Sequence, residues 1–359
     1  MAKAKKSTSK KPSRTGSPED IRALISASTG IARLDIAHWL STGSFTADLA
    51  ISGGRGLPGG KLTEIAGDSA SGKTALALSI CRQAQILGGD VVYLDAEARL
   101  SDTLAEFLIE VDINNNFIYT IPANLEEALD LIEQVGVTAA KLETPTVIVL
   151  DSISALSTLQ QSLEGGQLGN HKRVMGSAAN LISWFFARGI LRKINGSNVF
   201  IIMISQLREK LDFSPVPGAN KKITTGGHAV GYYSQTRLII SQEPLEKLGK
   251  DVGAMIKVHV KKTTMGPPHK VARIPFYFDE FEGARGMDEH LAWINYLIGA
   301  KVIKKVGSMY EIAEVRQYKK RWVQQMRDNP EFAASIKNLV RATFKRKPDA
   351  GTAREGADE

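Results

Sequence analysis

At 359 residues the chain is long enough for about two domains and a sizeable buried core. Its 43% hydrophobic and 23% charged residues are those of an ordinary soluble globular protein. A formal net charge of +8 favours polyanionic partners, nucleic acid above all, although solubility alone accounts for such a balance in many proteins. The single cysteine, Cys81, excludes a disulfide framework within the chain, and no apolar run of about 18 residues is present. No membrane span and no signal peptide are therefore expected, and a reducing, cytoplasmic compartment is the expected location.

In chain order, residues 1–18 carry Lys3, Lys5, Lys6, Lys10, Lys11 and Arg14 before any acid, with almost nothing to bury. They read as a disordered basic arm that either touches phosphates or is simply solvated. A helical segment is expected over 19–44 and an α/β core over 45–287. Within the core, short apolar runs read as buried strands: 62–66, 91–95, 146–151, 199–205, 237–241 and 256–261. Helical patterns at 74–87 and 124–135 separate the first of them. Strands of Val, Ile and Leu alternating with helices predict an α/β fold whose mostly parallel central sheet is covered on both faces, turning antiparallel where the later strands crowd together. The segment 204–228, with Pro215, Pro217, Gly218, Gly226 and Gly227, breaks the rhythm as a long loop of the kind that is functional or disordered. Residues 288–347 predict a small α-rich C-terminal domain, and 348–359 a disordered tail.

The chemistry starts at Gly67-Asp68-Ser69-Ala70-Ser71-Gly72-Lys73-Thr74, a G-x-x-x-x-G-K-[ST] string with a strand before it and a helix after it. Glycines let the backbone wrap phosphates, the helix N-terminus faces the anion, Lys73 meets the β- and γ-phosphates, and the Thr74 hydroxyl is placed for magnesium. Asp151 closes the strand 146–151, where open α/β sheets bind ligands, and suits a magnesium ion held through water; capping the following turn is the plainer role. Glu97, just past the strand 91–95, and Asp95 at its end both suit a group that orients water, and spacing does not choose between them. Gln206 closes the strand 199–205, either sensing the γ-phosphate or merely bonding its own loop. Gly165-Gly166 and Gly226-Gly227 lie in the segments after the Asp151 and Gln206 strands, whereas the other glycine pairs read as turns.

These motifs, in this order, resemble the RecA-like recombinases, bacterial and phage UvsX-type. The resemblance runs over roughly 45–310 through GLPGGKLTEIAGDSASGKT (56–74), VVYLDAEARL (91–100), TVIVLDSISAL (146–156), IIMISQLREK (201–210), TTGGHAVGYYSQTRLII (224–240) and IGAKVIKKVGSMYEI (298–312). It implies a RecA-like P-loop ATPase core that binds ATP and Mg2+, with Glu97 as the catalytic glutamate and Gln206 as the residue coupling nucleotide state to DNA. It implies two DNA-binding loops. The first, near 164–173, offers Gly165, Gly166, His171, Lys172 and Arg173; the second, near 207–225, offers Arg208, Lys210 and a stacking Phe213 and is closed by Gly226-Gly227. Lys261 or Lys262 takes the place of the two spaced lysines that reach a neighbouring subunit's ATP, the second of them falling on Thr263. Leu104 stands where relatives stack a tyrosine on adenine.

The implied activity is a DNA-dependent ATPase forming helical homo-filaments on single-stranded DNA and pairing it with homologous duplex in recombination and repair, in a bacterial or host cytoplasm. Single-strand-binding and mediator proteins are the implied partners. A hexameric helicase of related fold, a regulatory paralogue, and a P-loop ATPase without a DNA role are the other readings. Rings instead of filaments would mark the first; the presence of Glu97 and Gln206 argues against the second, and TTGGHA against the third.

Overall fold

The computed structural model describes residues 36–159, 177–209, 222–224, 229–247, 250–312 and 314–346. The expected basic arm, most of the expected helical segment 19–44, the first DNA loop, most of the second and the C-terminal tail lie outside them. The elements below belong to one compact unit, residues 37–359.

A short strand β1 (Trp39–Leu40) precedes helix α1 (Phe45–Ser52), so the described end of the segment 19–44 is extended up to the helix cap Ser44, whose side chain accepts from the Ala47 N–H. Then follow β2 (Leu57–Pro58), β3 (Lys61–Gly67), α2 (Lys73–Ile86), β4 (Asp90–Asp95), a π-helical turn (Thr103–Leu108), β5 (Phe117–Thr120), α3 (Leu125–Ala139) and β6 (Thr146–Asp151). Beyond the described gap come α4 (Ser177–Ala187), α5 (Ile190–Lys193), β7 (Val199–Glu209), β8 (Lys222–Thr224), α6 (Ala229–Tyr233), β9 (Thr236–Lys247), β10 (Lys250–Thr263), β11 (Val271–Phe281) and β12 (Ala284–Met287). The C-terminal part holds α7 (Glu289–Gly299), β13 (Lys304–Val306), β14 (Met309–Ile312), β15 (Val315–Gln317), α8 (Lys319–Asp328) and α9 (Pro330–Arg346).

The main sheet runs β12-β11-β10-β9-β3-β7-β6-β4-β5. From β5 to β9 the neighbours are parallel; from β9 to β12 they are antiparallel. The parallel strands are buried on both faces because alternate residues feed two layers. Val147 and Val149 of β6 join the α2 side with Leu76, Ile80 and Cys81, whereas Ile148 and Leu150 join the α3–α4 side with Leu129, Ile132 and Phe185. A third cluster ties α1 to the C-terminal helices: Phe45 and Leu49 pack with Trp293, Leu297, Trp322, Met326 and Val340. The region expected to be α-rich therefore also contains a three-stranded antiparallel sheet, β13–β15. Among the described residues no helix is long and apolar enough to cross a membrane.

Two features of this order place the site. Strand β3 is central, between β7 and β9, and it is entered through the tight LPGG turn. There Gly60 has φ +67°, and a Cβ would stand 2.5 Å from the Ile194 carbonyl oxygen, so only glycine suits the turn. All strands from β5 to β9 point their C-terminal ends at one edge, and the loops leaving that edge meet there.

Candidate nucleotide site

The chain leaves β3 at Gly67 and enters α2 at Lys73, with Gly72 at the helix cap in the left-handed region, φ +96°. A Cβ at Gly67 would fall 2.4 Å from the Ile240 carbonyl oxygen of the neighbouring strand and 2.5 Å from Ser71 Oγ, so the loop is wound tighter than a side chain there allows. The Lys73 Nζ turns back to donate to the Asp68 carbonyl at 2.6 Å. Burial holds its ammonium below the ordinary lysine range, and the nearby carboxylates of Asp151, Glu97 and Asp68 push it back up.

Asp151, at the end of β6, accepts two hydroxyl bonds on one oxygen, from Thr74 Oγ1 and Tyr93 OH, each 2.8 Å to Oδ2. Burial raises its carboxyl above the usual range, and these two bonds pull it down again. The register of β4 with β6 sets Asp95 directly beside Asp151. The two carboxylates nevertheless differ in what they hold. Asp95 accepts the backbone N–H groups of Glu97 (3.1 Å), Arg99 (2.8 Å) and Leu100 (2.9 Å) and the Tyr119 hydroxyl (3.0 Å). It pins the loop after β4.

That loop presents Glu97. Its Oε1 accepts from Ser152 Oγ at 2.9 Å and from Gln206 Nε2 at 2.7 Å, and Arg99 approaches Oε2 at 3.2 Å. Gln206 is itself fixed through its backbone N–H, which donates to Ser154 Oγ at 3.0 Å. Ser69, Ala70, Lys73, Thr74, Tyr93, Asp95, Glu97, Arg99, Leu100, Asp151 and Gln206 together line one cavity of about 150 Å3. The cavity thus gathers the P-loop lysine and threonine with Asp151, Glu97 and Gln206, five residues separated by as much as 133 positions in sequence.

Other expected site residues are not gathered there. Lys262 pairs with Arg237 and Thr263 with Thr236, whereas Gly67 pairs with Ile240, so Lys261 and Lys262 stand toward the opposite end of the sheet from the P-loop. Lys262 is bound within its own chain, donating to the carbonyls of Gly231 (3.0 Å) and Tyr232 (2.8 Å), while Lys261 is exposed. Leu104, in the π-helical turn, packs half-buried against the α2-side core. Arg208 belongs to the backbone of β7. Gly165, Gly166, His171, Lys172, Arg173, Lys210, Phe213, Gly226 and Gly227 lie outside the described residues.

Sequence reasoning missed Tyr93, Tyr119, Ser152 and Ser154. Tyr93 carried a usable signal: it lies two residues before Asp95 on the same strand, hence on the same face.

The fold and cavity agree with the family comparison, in which the RecA N-terminal domain matches residues 27–282. The chain belongs to the RecA family. The RecA protein of Thermus aquaticus is 34% identical over 305 residues, covering 84% of each chain. That of Arthrospira platensis is 34% identical over 312 residues, 85% of this chain and 79% of its own. That of a Synechocystis strain is 32% identical over 330 residues, 89% and 87% respectively. The breadth of these RecA matches favours the recombinase over the closed-ring helicase.

Proposed function

We propose that this RecA-family chain is an ATP-dependent DNA recombinase. It polymerises on single-stranded DNA, aligns that strand with a homologous duplex and hydrolyses ATP as it exchanges strands. The observation that carries the reading is the meeting of Lys73, Thr74, Asp151, Glu97 and Gln206 in one cavity at the C-terminal edge of the parallel strands.

The residues present fit ATP with magnesium. The tightly wound loop from Gly67 to Gly72 directs backbone N–H groups and the start of α2 toward an anion. The buried Ser71 hydroxyl has no hydrogen-bond partner among the described residues, and Lys73 is a buried cation beside it. Thr74 and Asp151 are the hydroxyl and carboxylate that would hold the metal, whose chemistry when bound is to offset negative charge on the phosphate oxygens. The chain's own groups do the rest. Lys73 releases the Asp68 carbonyl to meet phosphate. Glu97 accepts a hydrogen bond, and then a proton, from the water that attacks the γ-phosphorus. Asp95 is taken up in holding the Glu97 loop, which supports Glu97 rather than Asp95 as the base.

Gln206 stands between Glu97 and the loop that follows β7. It would exchange its bond to Glu97 for the γ-phosphate and so report ATP to the 207–225 segment, where Arg208, Lys210, Phe213, Gly226 and Gly227 would hold DNA, with Gly165, Gly166, His171, Lys172 and Arg173 from the first loop. Contacts to phosphates with stacking make binding tolerant of sequence. Lys261, exposed and toward the opposite end of the sheet from its own P-loop, would be the lysine that serves a neighbouring subunit's ATP, with Lys262 anchoring the strand behind it. Single-strand-binding and loading proteins would assist assembly in the cytoplasm.

Electron microscopy of the full chain with ATP and single-stranded DNA tests this directly. Helical filaments are expected. Closed rings would replace the recombinase with the helicase.

A further inference from the structure

The Tyr93 side chain is more than core. It is 1% exposed, packs in the α2-side cluster and stacks on Phe117 with ring centroids 5.9 Å apart, yet its hydroxyl reaches the nucleotide cavity. A phenol buried this deeply needs a partner, and the partner here is Asp151 Oδ2 at 2.8 Å. Thr74 donates to the same oxygen. Two donors on one oxygen fix the plane of the carboxylate and engage one side of it. Among the described residues Oδ1 accepts no hydrogen bond, so it is the oxygen available to a hydrated cation.

We infer that Tyr93 is a positioning residue for magnesium: its hydroxyl orients the Asp151 carboxylate that would hold the metal. This rests on the reading of the cavity as a site for ATP and magnesium. Thr74 has two duties in that reading, because its hydroxyl is wanted by the metal. With the Thr74 hydroxyl shared between the metal and Asp151, Tyr93 is the partner that serves Asp151 alone. The arrangement also explains why a hydroxylated ring is put in a strand otherwise made of Val, Leu and Asp.

The test is Tyr93→Phe in the full chain, which keeps the ring and its stacking and removes one oxygen. Binding of a fluorescent ATP analogue is titrated with Mg2+ and measured again in EDTA; the Mg2+ dependence of phosphate release is followed in parallel. Loss of a partner that orients a metal ligand costs 10- to 100-fold in metal affinity in other sites, so the half-saturating Mg2+ concentration should rise about tenfold. Nucleotide affinity in EDTA should stay unchanged, and kcat should recover at saturating Mg2+.

A half-saturation within about twofold of wild type would overturn the inference alone. So would an equal loss of nucleotide affinity in EDTA, which is what general damage to the pocket produces. Phe117→Leu loosens the same part of the core but keeps the hydroxyl. It should retain wild-type metal dependence, and a shift as large as that of Tyr93→Phe would make Tyr93 a packing residue only. Wild-type protein that takes up no nucleotide at any Mg2+ concentration would overturn the ATP reading, and the inference with it.

Discussion

Asp95 and Asp151 end neighbouring strands in the same row, yet the residues around them divide their work. Three backbone N–H groups and a tyrosine hydroxyl occupy Asp95, which gives it a structural role; Asp151 keeps one oxygen for the cavity. Glu97 is the carboxylate that lines the cavity from the loop after β4, accepting from Ser152 and Gln206. Replacing it with glutamine keeps the shape and the Ser152 bond but supplies a poor base, so steady-state phosphate release should fall by roughly 10²- to 10⁴-fold. ATP binding should persist, and filaments should last longer. Normal turnover per bound ATP, with affinity lost instead, would make Glu97 a binding group. The sequence alone could not separate Asp95 from Glu97, because the difference lies in which backbone amides fold back onto which carboxylate, and spacing does not carry that.

At the scale of elements, the buried parallel strands were legible because both faces are covered, which leaves uninterrupted Val, Ile and Leu runs: 146–151 coincides with β6, and 62–66 lies inside β3. Strand β5 was not, because it is the half-exposed edge of the sheet and FIYT gives neither a run nor a clean alternation. The β13–β15 sheet escaped for the same reason: its strands are short and largely solvated amid lysines and arginines.

Two predictions belong to junctions between elements. The first concerns the end of β7. Gln206→Ala should leave ATP affinity nearly intact but cut the ATP-dependent gain in single-stranded DNA affinity, so that ADP and a slowly hydrolysed ATP analogue give affinities within about twofold. Retention of the full nucleotide-dependent difference would exclude this coupling. Equal weakening in both states would mark a loop-stabilising glutamine.

The second concerns the joint of α1 and α7. Glu289 is partly buried there, accepting from the Phe45 N–H at 2.7 Å and the Trp293 indole at 3.0 Å. Burial pushes its carboxyl up from 4.5 to about 7, the hydrogen bonds opposing and buried Asp48 adding to the rise. The folded state therefore holds this proton more tightly than the unfolded chain. The stabilisation is complete below about pH 4.5 and is lost as pH rises through about 7. Glu289→Gln should remove that loss, raising stability at pH 8 by on the order of 1–3 kcal/mol in urea unfolding, with little effect at pH 4.5. A variant no more stable at pH 8 than wild type would show that the carboxylate is accommodated as an anion.

The whole molecule carries a formal net charge of +8, and its basic residues crowd the two ends of the chain. DNA affinity should therefore fall linearly on a log–log plot against salt, with a slope near −0.7 for each phosphate neutralised on a single strand. Deleting residues 1–18 should make that slope shallower. An unchanged slope would leave the basic arm as a solvated tail. The strand order has a consequence for how the molecule comes into being. The strand that leads into the P-loop, β3, takes both its neighbours from far downstream: β7 begins at residue 199 and β9 at residue 236. During synthesis the strand before the nucleotide loop must wait for residue 199 before its first neighbour begins, and for residue 236 before its second does. Pairings so remote in sequence close slowly and leave bare strand edges meanwhile. A nascent chain halted before β9 would hold every residue of the ATP cavity and still leave the β9-side edge of its central strand bare.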